Sequence, residues 1–111
     1  MTDFFRGIGG FQFQNLIHNR VPFLLINLEV DTQGLFPPFH QAHLDRQSLK
    51  ATSIEALFKV REMAVPADHA IVLLSKDGEG CKSLAENLEN AGYSNVYWIH
   101  GGLLALRQEL S

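Results

Sequence analysis

The sequence holds a single cysteine in 111 residues, so no disulfide can form within the chain, and it lacks the paired-thiol pattern of a cross-linked secreted scaffold. Basic residues are also few. Nine Lys and Arg stand against 12 Asp and Glu, for a formal charge of −3, and they form no stripe able to neutralise a phosphate backbone. Nucleic acid is therefore not expected as a partner. Long apolar runs are missing as well: Val21 to Leu28 is the longest, is interrupted by Pro22 and Asn27, and is far too short to cross a bilayer. The N-terminal MTDFFRGIGGFQFQ has no basic segment followed by an apolar stretch of signal-peptide length. The expectation is a cytoplasmic chain with no membrane partner. No Cys-x-x-Cys or His-Glu-x-x-His spacing is present, which leaves no metal site and no cofactor to expect.

What the chain does have is a hydrophobic content of 46%, enough for one core in a length too short for two, so a single domain over 1–111 is expected. The most informative stretch is IVLLSKDGEGCKSLAENLENAGYSNVYWIHGG, residues 71–102. Ile71 to Leu74 and Val96 to Ile99 are continuous apolar runs, as expected of parallel strands covered on both faces. Between them lie a glycine-punctuated loop, a helical segment and the stop signal Gly92, which together make a βαβ unit. On the helical segment Cys81, Leu84, Ala85 and Leu88 share one face, with Glu86, Asn87, Glu89 and Asn90 elsewhere.

Upstream, Phe11, Phe13, Leu16 and Ile17 predict a short amphipathic helix ending before Asn19 and Arg20, followed by a buried strand Phe23–Ile26. Gly7–Gly10 and Gly34–Pro38 read as loops. Thr52-Ser53-Ile54-Glu55 has the form of a capping box, so a helix should run from Thr52 to about Met63 with Ile54, Leu57, Phe58 and Arg61 on its inward stripe. Pro66–His69 is a turn into the Ile71 strand. Gly101-Gly102 opens a last helix, Leu103–Leu110. This repeated alternation predicts an α/β fold, a mostly parallel sheet with helices on both faces.

The 71–102 stretch resembles the rhodanese family. There a strand delivers a cysteine into a loop reading Cys-x-x-Gly-x-Arg-Ser, followed by a helix, a Gly-Tyr or Gly-Phe turn, a strand ending in Asn-Val, and Gly-Gly. Gly78, Ala91-Gly92-Tyr93, Asn95-Val96 and Gly101-Gly102 keep that frame. The resemblance covers about residues 11–106 and implies a rhodanese-like domain with a central five-stranded sheet. In the weaker first half, Asn27-Leu28-Glu29 stand for the family's Asp-Val-Arg, and Pro38-Phe39-His40-Gln41-Ala42 for its His-Ile-Pro-Gly-Ala, which leads into a strand. Leu106 stands where tryptophan is usual.

The resemblance also implies where chemistry would sit, in the loop Ser75, Lys76, Asp77, Gly78, Glu79, Gly80 and Cys81. Ser75 occupies the position of the persulfide-carrying cysteine, and Gly80 that of the loop arginine. A serine hydroxyl cannot form a persulfide and needs an adjacent base to act as a nucleophile. Asp77 and Glu79 oppose an anionic sulfur donor by on the order of a kcal/mol each. The expected function is that of a binding or regulatory module inactive as a thiosulfate sulfurtransferase, which takes a protein partner or a small ligand at this loop. The alternative is a sulfurtransferase or thiol-redox enzyme that uses Cys81, in the first turn of a helix beside Lys82. The related phosphatase branch needs the same missing cysteine and arginine. His40, His43 and His100 are expected on the rim of this loop, where together with Cys81 they match no established metal-ligand spacing.

Overall fold

The computed structural model describes residues 7–32 and 34–110. The outer limits of the 1–111 domain expected above therefore lie outside the described residues. Within them the chain forms β1 (Gly7–Ile8), α1 (Gly10–His18), β2 (Leu24–Asn27), α2 (Pro38–Arg46), β3 (Ser48–Lys50), α3 (Ser53–Glu62), β4 (Ile71–Leu74), α4 (Cys81–Asn90), β5 (Val96–Ile99) and α5 (Gly102–Leu110). The five strands make one parallel sheet in the order β1-β5-β4-β2-β3.

All four residues of β2 and of β4 are buried, because helices cover both faces of the central pair. Leu24, Ile26, Ile71, Leu73 and Val96 point to the layer of α3 and α4, where they meet Ala56, Val60, Cys81, Leu84 and Leu88. Leu25, Val72, Leu74 and Ile99 point the other way, onto Phe13, Ile17, Leu44 and Leu106 of α1, α2 and α5. This two-residue alternation sends each apolar run into two cores at once. Burying a large aliphatic side chain stabilises by about 1.5–3 kcal/mol, so β2 and β4 anchor the fold.

Three local readings of the sequence are corrected. Gly7–Ile8 is a short edge strand rather than loop, with Gly7 paired to Trp98 and Ile8 to Ile99. Two residues carry no alternation that a sequence pattern could display. Pro38–Ala42 does not lead directly into a strand, because Pro38 opens α2 and the strand begins only at Ser48. Proline suits the first helical turn, where its missing N–H removes no hydrogen bond.

The third correction concerns α3. Its start is as expected: Glu55 N–H donates to Thr52 Oγ1 (3.2 Å) and Thr52 N–H donates to Glu55 Oε1 (3.1 Å). Its inward stripe, however, is Ala56 and Val60, with Leu57 partly buried. Ile54 is 91% exposed and Phe58 65% exposed, while Arg61 also faces solvent. The residues that fit close to the sheet are small or β-branched. The larger apolar pair is left outside.

Candidate functional site

The chain leaving β2 climbs to α2 on one face of the sheet, and the chain leaving β4 climbs to α4 on the other. Because β2 and β4 are neighbours, a crevice opens between their C-terminal ends, at the kind of switch point where open parallel sheets place ligands. The 75–81 loop forms one wall. Residues Leu28 and Glu29 form the other, and Thr52 and Ser53 lie beside them around a cavity of about 340 Å³.

Ser75 is 7% exposed at the end of β4, and its hydroxyl closes the loop. Gly78 N–H donates to Ser75 Oγ at 2.8 Å, and Cys81 Sγ donates to the same oxygen at 3.5 Å. Asp77 takes a second loop amide, with Glu79 N–H donating to its Oδ1 at 3.0 Å. Two of the loop's backbone amides, those of Gly78 and Glu79, are therefore already taken by side chains of the loop itself. Serine and aspartate oxygens on short side chains reach amides two or three residues ahead, a signal present in the sequence.

Cys81 begins α4 and is fully buried. Cys81, Leu84, Ala85 and Leu88 form the buried face of the helix, as their spacing predicts. Burial pushes the Cys81 thiol above its ordinary range, and the hydrogen bond to Ser75 offsets only part of that. The residue before it, Gly80, is left-handed at φ 80° with open space where a Cβ would stand.

The loop is also moulded from behind. Leu103 N–H donates to Ser75 O at 2.8 Å and Leu104 N–H to Lys76 O at 3.0 Å. A Cβ on Gly102 would lie 2.5 Å from both Gly78 N and Ser75 O, and 2.6 Å from Asp77 N. The first turn of α5 thus sits directly against the loop backbone, an approach that only glycine permits.

On the far side of the loop a cavity of about 460 Å³ is lined by Asp77, Glu79, Gly80, Trp98 and His100, with Lys82 at its flank. His100 thus lies on the loop's rim, as expected. His40 and His43 do not join it as a strand-end pair, since both belong to α2, and the His40 ring packs edge-on against His18 of α1 with centroids 5.6 Å apart. Among the described residues, no group of three or more His, Cys, Asp or Glu is placed to hold a metal ion. Two features of the site were missed in the sequence. Trp98 shows one side to the loop cavity, and Glu29 adopts a left-handed φ of 65°. No described helix is long and apolar enough to cross a membrane.

No protein-family model matches the sequence, and no curated protein matches it. Solved structures do. The rhodanese-like domain of the Alr3790 protein from Anabaena aligns over 94% of this chain and 74% of its own, with a TM-score of 0.68 at 13% identity. The fold is rhodanese-like. A crystal structure of the same Anabaena protein gives a TM-score of 0.68 at 12% identity, over 92% of this chain and 86% of that one. A thiosulfate sulfurtransferase from Pseudomonas aeruginosa gives 0.67 at 19% identity over 92% of this chain, which matches only 18% of that enzyme. Within the rhodanese-like fold, the Ser75–Cys81 loop holds a hydroxyl that closes its turn and a thiol that faces the core.

Proposed function

We propose that this chain is a single rhodanese-like domain, residues 1–111, that carries out no persulfide chemistry and serves in the cytoplasm as a binding or regulatory module, docking a protein partner or small ligand at the Ser75–Cys81 loop. The observation that carries the reading is the state of Ser75. Its Oγ, at the loop position nearest the strand end, accepts from Gly78 N–H at 2.8 Å and is nearly buried. A hydroxyl in that role caps a turn, and activating it as a nucleophile would need an adjacent base. Burial of Cys81 argues against the thiol alternative, because the thiolate is the reactive form and desolvation disfavours it.

The switch-point crevice, the glycines that allow close approach, and the carboxylates of Glu29, Asp77 and Glu79 around it support recognition rather than turnover. Transfer of sulfur from thiosulfate to cyanide tests the first half. No thiocyanate above the uncatalysed background is expected, and turnover comparable to an active sulfurtransferase assayed alongside would overturn the reading. Charge reversal tests the second. Asp77→Lys with Glu79→Lys should weaken a captured partner, whereas loss of binding only from substitutions on a distant helix face would place the function elsewhere.

A further inference from the structure

The outward stripe of α3 is the largest departure from what the sequence pattern demands. Ile54 and Phe58 stand one helical turn apart, 91% and 65% exposed, on a helix whose other face already meets the sheet through Ala56 and Val60. Beside Ile54 runs a groove of about 350 Å³ between α3 and α4, walled by Ile54, Leu57 and Leu84 and closed at one end by Gly80 and Ser83. Ser53 and Gly80 also line the switch-point crevice, and Gly80 and Ser83 line the cavity of Trp98. Three depressions therefore meet at Gly80: the groove beside Ile54, where Ser53 and Asn87 join the apolar residues, and two lined mainly by polar side chains. In the crevice three carboxylates, Glu29, Asp77 and Glu79, face one ammonium, that of Lys76. Lys82 lies in the neighbouring cavity. Neither Glu29 nor Glu79 has an ion-pair partner among the described residues.

We infer that the loop and the outer face of α3 form one composite docking surface for an amphipathic, basic protein segment, which lays apolar side chains along Ile54, Leu57 and Phe58 and directs a lysine or arginine into the carboxylate-lined crevice at Gly80. This rests on the loop-docking reading above and extends it to a partner class. Charge complementarity selects the basic end of the segment. The helix-in-groove mode, with anchors at helical spacing, selects its form. A purely acidic segment would bring like charges together in the crevice, and a small anion would leave the α3 face uncovered.

The test uses the whole protein and a synthetic helical peptide of about 18 residues, with leucines along one face and lysines between them. A control peptide carries glutamates in place of the lysines. Trp98, the only tryptophan, lies in the loop cavity and reports binding by its emission. The basic peptide should bind, and the acidic control should bind at least about tenfold more weakly. Ile54→Ser with Phe58→Ser should weaken the basic peptide by about tenfold or more, and so should Asp77→Lys with Glu79→Lys. All four side chains are exposed, and circular dichroism confirms that each variant is folded. Because Asp77 also accepts from the Glu79 amide, Asp77→Asn with Glu79→Gln, which keeps an acceptor and removes the charge, should weaken the basic peptide too.

Sensitivity to the loop pair alone would overturn the α3 extension and leave the loop reading standing. Sensitivity to the α3 pair alone would overturn both. Equal binding of the acidic control, no binding up to about 1 mM, or concentration-dependent self-association abolished by Ile54→Ser with Phe58→Ser would each overturn the proposal, the last by making a second copy the occupant.

Discussion

Cys81 Sγ donates its hydrogen bond to Ser75 Oγ across 3.5 Å in the buried floor of the loop. The only thiol of the chain and the hydroxyl at the end of β4 are thus partners of each other. The hydroxyl oxygen also receives the Gly78 amide at 2.8 Å, so this small network ties the end of β4 to the start of α4. One consequence is that the thiol should be slow to react. Alkylation of Cys81 in the folded protein at neutral pH should run at least about tenfold slower than that of a free cysteine and recover on denaturation.

The same burial sets a pH dependence. The folded thiol ionises above the ordinary thiol range because burial disfavours its charged form, while the unfolded thiol ionises within that range. The unfolded state therefore sheds its proton first. The thiol's contribution to stability is complete below the ordinary range and is lost as pH rises through it toward the folded value. Denaturant unfolding at pH values from about 7 to about 10 should show this alkaline loss, and Cys81→Ala should reduce it while costing about 1 kcal/mol at neutral pH.

Ser75→Cys alone should restore weak sulfur transfer at best. The new thiol would enter a turn whose Gly78 amide is already drawn to position 75, opposite the carboxylates of Asp77 and Glu79, and Gly80 offers no guanidinium to hold the donor. Thiocyanate formation by this variant at a rate comparable to an active sulfurtransferase would show that the rest of the loop is competent.

Glu29 lies just past β2 at φ 65°, a conformation costing an ordinary L-residue about 1–2 kcal/mol. Glycine avoids that cost but loses about 0.5–1 kcal/mol through its greater freedom in the unfolded chain. The relief is the larger of the two. Glu29→Gly should therefore stabilise by about 0.5 kcal/mol in denaturant unfolding, and a destabilised variant would mean that the exposed carboxylate contributes more than its backbone costs.

Gly80 and Gly102 are both left-handed, yet their surroundings differ. Nothing lies within 4 Å of a Cβ on Gly80, whereas one on Gly102 would meet three backbone atoms at 2.5–2.6 Å. Gly80→Ala should cost only the conformational penalty of about 1–2 kcal/mol. Gly102→Ala should cost at least about 2 kcal/mol more, because backbone cannot yield as a flexible side chain does. Thermal melting of the two variants side by side measures the difference.

The second half of the fold was legible because its signals agree. Ile71–Leu74 and Val96–Ile99 are short apolar runs between turn residues, and the structure gives them those same limits. The Cys81 face was legible for the same reason. The first half misled where one signal served two outcomes. Ile54 and Phe58 repeat at the helical period of a core face, and periodicity cannot tell a face packed within the chain from one left open. Ala56 and Val60 held the better clue, since a helix lying close on a sheet favours compact residues there. In the loop, the short polar side chains themselves carried the readable signal. Ser75 and Asp77 cap amides of their own turn.

The contact of Gly102 with Gly78, Ser75 and Asp77 also orders events in time. During synthesis β2, β4 and α4 all emerge before α5, so the crevice between β2 and β4 can be outlined while the wall behind the loop is still missing. Only when Leu103 and Leu104 arrive can their amides reach Ser75 O and Lys76 O. On the ribosome, then, the loop is the last part of the site to acquire its shape. A chain cut before Gly102 would keep β2 and β4 but lose the contacts that mould the loop between them.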